Sequence, residues 1–591
     1  MSLPIVRSSL LALALIAPAL LAPPIKAGPA EDLVTLSTEY WEGSLRHDPA
    51  RATSLGDRRY DDRLEDRSPE AIAERLSWLE SIQARAETVD AAALSPADRV
   101  TLGMLEYLVR SDIARIECGF EEWLVNPRGG MVDLFNLESM QPLDSVESGR
   151  AMVARWRAME GYLRQDVENL RRGLAAGKVA SREAVERVVA QIEELEAQPV
   201  EEWALMKPVH AIPEDWTAAQ RAEFESDLTA AVTGGVRPAL LDYRDFLRDS
   251  VLPRGRSEDE SGLLHVEGGE ECYRKLILLH TTLDLGAREI HEIGLAEVAR
   301  INDETRALGK KVLGTDDLEE IHRRLRTDPH LHFETRDQIQ AKAEEALARA
   351  GKAIGAWFGI LPEAPCEVVR IEPHEEKHTT IAYYNRPAAD GSRPGRFYVN
   401  THAPDTRPRY EAEALAFHEG IPGHHLQISV AMELEGLPEF RKHRGSTAFV
   451  EGWGLYTERL SDEMGLYTGD LDRMGMLSFD SWRACRLVVD TGLHALGWSR
   501  RQAIDYMKAN SCLAENNIIN EVDRYIATPG QALAYKLGQR EFFALREEAE
   551  HALGEDFDIK TFHAVVLGQG AVDLNTLRRM VHEYIREEKG E

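Results

Sequence analysis

Phe417-His418-Glu419-Gly420-Ile421-Pro422-Gly423-His424-His425-Leu426-Gln427 interrupts a helical pattern with residues that a helix tolerates badly. Before it, Tyr410-Glu411-Ala412-Glu413-Ala414-Leu415-Ala416 is a run of strong helix formers, and helical patterning resumes over 426–434. Pro422 and Gly423 stand between, and proline alone costs about 3 kcal/mol in a helix interior. Three histidines and a glutamate flank this break, which points to strain accepted in order to aim side chains. Imidazoles joined by a distant carboxylate are the ligand set of a catalytic zinc that keeps one position open. A glutamate beside the first ligand is where such a site carries its general base. His418 is therefore the first candidate ligand and Glu419 the candidate base.

Geometry leaves the second ligand open. In an unbroken helix, position i+7 returns to within ~20° of the first face, which favours His425, but seven residues also rise ~10.5 Å. A distorted turn at Pro422-Gly423 would shorten that gap and bring His424 equally within reach. The candidate third ligand is Glu451, in Phe449-Val450-Glu451-Gly452-Trp453-Gly454-Leu455-Tyr456, which lies 26 residues (451 − 425) beyond His425. Gly452 and Gly454 are expected to let this helix approach the metal helix closely. Phe449, Trp453, Tyr456 and Leu460 form a core stripe at helical spacing, and Glu458 is a candidate for orienting a ligand. A literal His-Glu-x-x-His also occurs, as His374-Glu375-Glu376-Lys377-His378. It sits between Pro373 and a β-branched run and reads as a solvated loop, because i and i+4 imidazoles converge only on a helix.

Working outward, 31–250 reads as successive amphipathic helices, one opening on Ser95 as N-cap and others covering 147–174 and 181–197. The charged break 252–262 is the expected domain boundary, dividing a helical scaffold (28–255) from a catalytic helical region (263–591). Helices continue from about 270 to 357. Short strands are expected at 366–371, 379–384 and 396–400, forming a small sheet next to the metal helix. The last of these could pair with an extended peptide. Residues 409–591 are again mostly helical, so the fold class is mainly α.

The 591-residue chain is too long for one compact core. Its net charge of −31, from 101 acidic against 70 basic residues, repels phosphate backbones and anionic lipid and argues against nucleic acid as a partner. Residues 1–27 read as a signal peptide, with Arg7 in its n-region, an apolar run over 9–22 broken by Pro18, and small residues for cleavage at Ala27, Gly28 and Ala30. The run is too short for a comfortable membrane span, and no cysteine lies nearby to carry a lipid anchor. The expectation is an exported protein, periplasmic or secreted, with no stable membrane insertion after cleavage. Five scattered cysteines and no Cys-x-x-Cys pair indicate no disulfide framework, and leave the metal to His and Glu.

The motif His-Glu-x-x-Pro-Gly-His-His-Leu-Gln from His418, followed by Glu-Gly-Trp-x-Leu-Tyr from Glu451, resembles the bacterial family named domain of unknown function 885, which is grouped with gluzincin-type metallopeptidases. The resemblance covers nearly the whole mature chain. It implies a two-lobed helical body with a central cleft that admits short or unfolded peptides. Related families carry His-Glu-x-Gly-His and a later glutamate. Laying their Gly-His-Ala-Leu over Gly423-His424-His425-Leu426 makes His424 the second ligand, with His425 supporting it or replacing it. By the same analogy the segment 524–536 lines the cleft, with Tyr535 donating to the developing oxyanion and Arg524 holding a substrate carboxylate. Asp490, Gly492 and His494 are further cleft candidates. The expected function is an exported zinc-dependent hydrolase, with one zinc ion, that cleaves peptide bonds by zinc-activated water with Glu419 as base. A zinc amidohydrolase using the same residues and a non-catalytic peptide-binding protein are the alternatives.

Overall fold

The computed structural model describes residues 28–372, 376, 380–388, 391 and 393–590. The leading segment 1–27 and the histidines of the literal motif, His374 and His378, lie outside the described residues.

Helices start where the sequence supplies starts. Ser68-Pro69 opens Pro69–Ala86 and Ser95-Pro96 opens α1 (Pro96–Cys118), each serine hydroxyl accepting from the backbone N–H three residues on, at 3.3 and 3.1 Å. Proline costs little at a first helical position, where its missing N–H has no helical partner in any case. The predicted helices at 147–174 and 181–197 are Val146–Ala175 and Arg182–Glu196. The break at 252–262 is a folded turn: buried Arg256 donates to the carbonyls of Val179, Glu260, Ser261 and Gly262.

Beyond α2 (Gly269–Thr281) the elements that build the site follow in order: β1 (Cys366–Arg370), β2 (Ala382–Asn385), β3 (Gly395–Val399), α3 (Ala412–Glu419), α4 (His424–Glu433), α5 (Thr447–Glu463), α6 (Asp470–Ala495), α7 (Glu515–Ala527) and α8 (Leu533–Leu553). Among the described residues the molecule is mainly helical with one small sheet of three strands. Strand order is β1-β3-β2, with β1 parallel and β2 antiparallel to β3, and Tyr384 opposite Phe397. The expected pairing of 396–400 with a peptide is therefore corrected. β3 is the central strand, paired along both edges, with β1 and β2 as the outer strands. Phe397 and Val399 alternate inward from β3 onto Ala416 and Phe417 of α3, which seats the sheet against the helix that carries His418.

One core joins Leu33, Tyr40 and Leu105 to Leu426, Trp453, Phe542 and Leu577, so the first helices of the chain pack on its last ones. The predicted stripe Phe449, Trp453, Tyr456 and Leu460 is fully buried in it. A second core, around Trp156 and Trp203, has all its buried residues between Val125 and Val251, with Ala50 and Leu64 packed against it from earlier in the chain. A disulfide joins Cys118, which ends α1, to Cys272 in α2, while Cys366, Cys485 and Cys512 stay free. No described helix is long and apolar enough to cross a membrane.

Candidate metal centre

The helix break forms where the sequence placed it. α3 ends at Glu419, the chain turns through Gly420 and a cis Ile421–Pro422 bond, and α4 begins at His424. His418 thus occupies the last turn of one helix and His424 the first turn of the next. Their rings stand 4.7 Å apart and nearly perpendicular, at 80°. Glu451, from α5, faces both: its Oε2 is 3.6 Å from His424 Nε2 and 3.9 Å from His418 Nε2. The candidate ligand atoms of His418, His424 and Glu451 all lie within 4.8 Å of one another.

Two neighbours aim the His418 ring. Its Nδ1 meets the buried Glu458 carboxyl at 2.8 Å, which leaves Nε2 as the atom turned toward Glu451. Burial pushes Glu458 up to about 8 against the pull of Arg483. Gly454 supplies the space: a Cβ there would stand 2.7 Å from Cε1 and 2.9 Å from Nε2 of His418. Gly452 does something else. It faces Gly538 of α8, where a Cβ would lie 2.5 Å from the Gly538 Cα, so it permits the α5–α8 contact and not the expected approach to the helix that carries His418.

These residues fit a zinc ion. Two ligands held ~2.0–2.1 Å from an ion at a tetrahedral angle are about 3.3 Å apart, a few tenths of an ångström less than the His–Glu separations here. Burial, with His424, Arg483 and Arg486, holds His418 well below its usual pKa, so its imidazole is neutral, as ligation requires. Burial works in the same direction on His424, but Glu451 and Glu419 beside it raise it overall. Burial would raise Glu451, yet His424, Arg486 and the Tyr535 hydroxyl bring it below the ordinary carboxylate range. The trio therefore favours positive charge in its midst. A carboxylate behind one imidazole is the usual partner of a ligating histidine.

Glu419 lies partly buried at the edge of this group. Its pKa is raised, chiefly by burial and by Glu451, against His424, Arg483 and the backbone N–H of Tyr384 on β2. Tyr535, on α8, also lies beside Glu451, and burial with that negative charge raises its pKa, so the phenol keeps its proton.

The chain matches the family described as "Bacterial protein of unknown function (DUF885)" over residues 49–581. It belongs to that family. A "putative lipoprotein" from Colwellia psychrerythraea superposes with a TM-score of 0.87 at 25% identity, covering 95% of this chain and 100% of that one. A "putative lipoprotein of unknown function" from Shewanella oneidensis gives 0.74 at 20% identity, over 94% and 100%. A carboxypeptidase of Pyrococcus furiosus aligns over 95% of this chain and 99% of its own, at 11% identity and a TM-score of 0.39, too slight a likeness to carry weight. No curated protein matches the chain.

In this DUF885 chain, His425 turns away from the other two histidines. Its Nε2 donates to the Ala364 carbonyl at 3.0 Å and its Nδ1 accepts from the Tyr384 hydroxyl at 2.9 Å. Asp490 and His494 are occupied in packing: Asp490 accepts from the Tyr273 hydroxyl and the Gly530 N–H, while His494 bridges the Leu263 N–H and the Tyr525 carbonyl. Gly492 lies under Trp498. Arg524 is held by Glu521 and Gln531. The sequence reading passed over Arg483 and Arg486, both buried in α6, which bear on His418. Their signal was present as two arginines three apart, with Ala484 and Cys485 between them, Trp482 before and Leu487-Val488-Val489 after.

Proposed function

We propose that this chain is a zinc-dependent peptidase acting on short or unfolded peptides. The observation that carries the reading is the convergence of His418, His424 and Glu451, with Glu419 at its edge. A bound zinc ion would polarise the scissile carbonyl and lower the pKa of an attacking water to about 7. Glu419 takes the proton of that water on a carboxylate oxygen and delivers it to the leaving amine. The Tyr535 hydroxyl donates to the carbonyl oxygen as it gains charge. His418, braced by Glu458, and His424, fixed by the turn into α4, would hold the ion with Glu451. Export is part of the proposal, supported by the leading segment and by the Cys118–Cys272 disulfide, which suits an oxidising compartment.

The test is metal analysis of the purified chain beside His418→Ala and Glu451→Ala, followed by peptide-pool hydrolysis with Glu419→Gln as control. The expected result is about one zinc in the wild type, lost from both ligand variants, and cleavage lost with metal retained in Glu419→Gln. A wild type that takes up no zinc would sink the proposal.

A further inference from the structure

Each candidate imidazole has one nitrogen turned away from the centre. That of His418 is Nδ1, which meets the Glu458 carboxyl at 2.8 Å. His424 turns Nε2 toward Glu451, at 3.6 Å, so its rear atom is also Nδ1. This nitrogen is buried and has no hydrogen-bond partner among the described residues. A ligating imidazole donates its rear N–H to an acceptor, which fixes the tautomer and the plane of the ring.

Gln427 closes the motif that begins at His418 and follows His424 by three residues on α4. Its backbone N–H donates to the Gly423 carbonyl at 3.1 Å, so the first turn of α4 is formed. Side chains three apart on a helix share a face, with their Cβ atoms about 5–6 Å from each other. Both residues are buried, His424 at 8% exposure and Gln427 at 3%. Gln427 Oε1 is a second buried atom without a partner among the described residues. One turn of helix therefore carries an unmatched acceptor beside an unmatched ring nitrogen. The side chains feel each other: burial lowers the His424 pKa, while Glu451, Glu419 and then Gln427 raise it. The terminal torsion of a glutamine is broad, so a small rotation closes the pair.

The residue type also fits. His424 already has the carboxylates of Glu451 and Glu419 beside it. A third would be a further buried negative charge, costly when it is not paired, whereas an amide oxygen accepts without adding charge. On the other side of the centre, Glu458 has Arg483 to oppose it, with Nη2 at 4.0 Å.

We infer that Gln427 is a positioning residue for His424: its Oε1 accepts the Nδ1–H of that ring and so presents Nε2 to the ion. The inference rests on the zinc reading and adds to it a role for the last residue of the motif. Glu458 and Gln427 then do the same work on the two imidazoles, one from α5 and one from α4 itself.

The experiment measures zinc affinity by chelator competition for wild type, Gln427→Met and Gln427→Glu, corrected for the folded fraction. Denaturant unfolding of the metal-stripped proteins reports loss of packing separately. Gln427→Met keeps the bulk of the side chain without the amide oxygen and should lower affinity about 10–100-fold. Gln427→Glu restores an acceptor, whose charge the bound ion opposes, and should recover most of that loss. Affinity of Gln427→Met within twofold of wild type overturns the assignment, as does an equal loss in both variants, which would mark Gln427 as packing alone. Should neither variant fold, proton spectra of the cobalt-substituted wild type decide. An exchangeable ring N–H signal from each of the two imidazoles supports the inference, and a signal from His418 alone overturns it. A wild type that binds neither metal overturns the zinc reading itself.

Discussion

The space beside His418 makes a sharp test of the candidate centre, because a single methyl group should cost metal more than it costs the fold. In Gly454→Ala the new Cβ would stand 2.7, 2.9 and 3.0 Å from Cε1, Nε2 and Nδ1 of His418, whereas ordinary contact begins near 3.4 Å. The ring must therefore retreat by about 0.7 Å, and its bond to Glu458 limits where it can go. Metal–ligand distances tolerate about 0.2 Å, so a displacement of this size disrupts ligation. The expected loss is about 10–100-fold in zinc affinity, the range seen when a ligand's supporting contacts are removed. The fold pays less. Overpacking costs about 1–3 kcal/mol, and replacing glycine by alanine in a helix returns up to about 1 kcal/mol. Competition against a chromophoric zinc chelator measures the first quantity, and denaturant unfolding of the metal-stripped protein measures the second. Gly452→Ala provides the contrast, since its Cβ meets backbone of Gly538 at 2.5 Å, remote from the imidazoles. It should destabilise the α5–α8 packing and leave zinc affinity per folded molecule unchanged. A Gly454→Ala protein that binds zinc within twofold of wild type would refute the reasoning.

Glu458→Ala strips the partner from a buried imidazole nitrogen and should lower zinc affinity about 10–100-fold and stability by about 1–3 kcal/mol; unchanged chelator competition would remove Glu458 from the site. Glu411 is pushed up to about 7 by burial, from an ordinary value of 4.5. Between those values the unfolded chain has lost the proton that the folded chain keeps, so stability falls as pH rises through the window, by on the order of 3 kcal/mol, and the loss is complete above it. Urea midpoints at pH 5 and pH 8 should therefore differ less in Glu411→Gln than in wild type, and an identical difference would count against the assignment. Replacing both Cys118 and Cys272 by serine releases a loop of 154 residues and should cost about 2–5 kcal/mol, checked by denaturant unfolding with free-thiol counts before and after reduction.

What the sequence made legible was local. Helix starts at Ser95-Pro96, the three short strands and the break after Glu419 all depend on residues adjacent in the chain, where propensity and capping act directly. The strand order was not readable, because β3 pairs in parallel with β1, across a connection whose length says nothing about which strand ends in the middle. The Cys118–Cys272 bridge escaped for the same reason, since its partners meet only when α1 and α2 pack. Gly452 and Gly454 look alike in sequence and do different jobs, because two residues on a helix are 200° apart and face different neighbours. Arg486 and Glu521 belong to different helices, and their ion pair emerges only from the packing of α6 against α7.

The choice between His424 and His425 shows why periodicity alone did not reach the site. On an uninterrupted helix, six residues past His418 point about 120° away from its face and seven return nearly to it, which favours His425. Residues 420–423 are not helical, so the phase is reset before α4 starts, and the imidazole facing Glu451 is that of His424. The reset also gives His425 its own task. With one nitrogen on the Ala364 carbonyl and the other on the Tyr384 hydroxyl, it fastens β2 to the start of α4. The backbone N–H of the same Tyr384 faces Glu419. One turn therefore sets the second imidazole and, through its neighbour, the strand that borders the proposed base. Lengthening that turn by a residue would displace both together, whereas substituting either histidine alone would disturb only one.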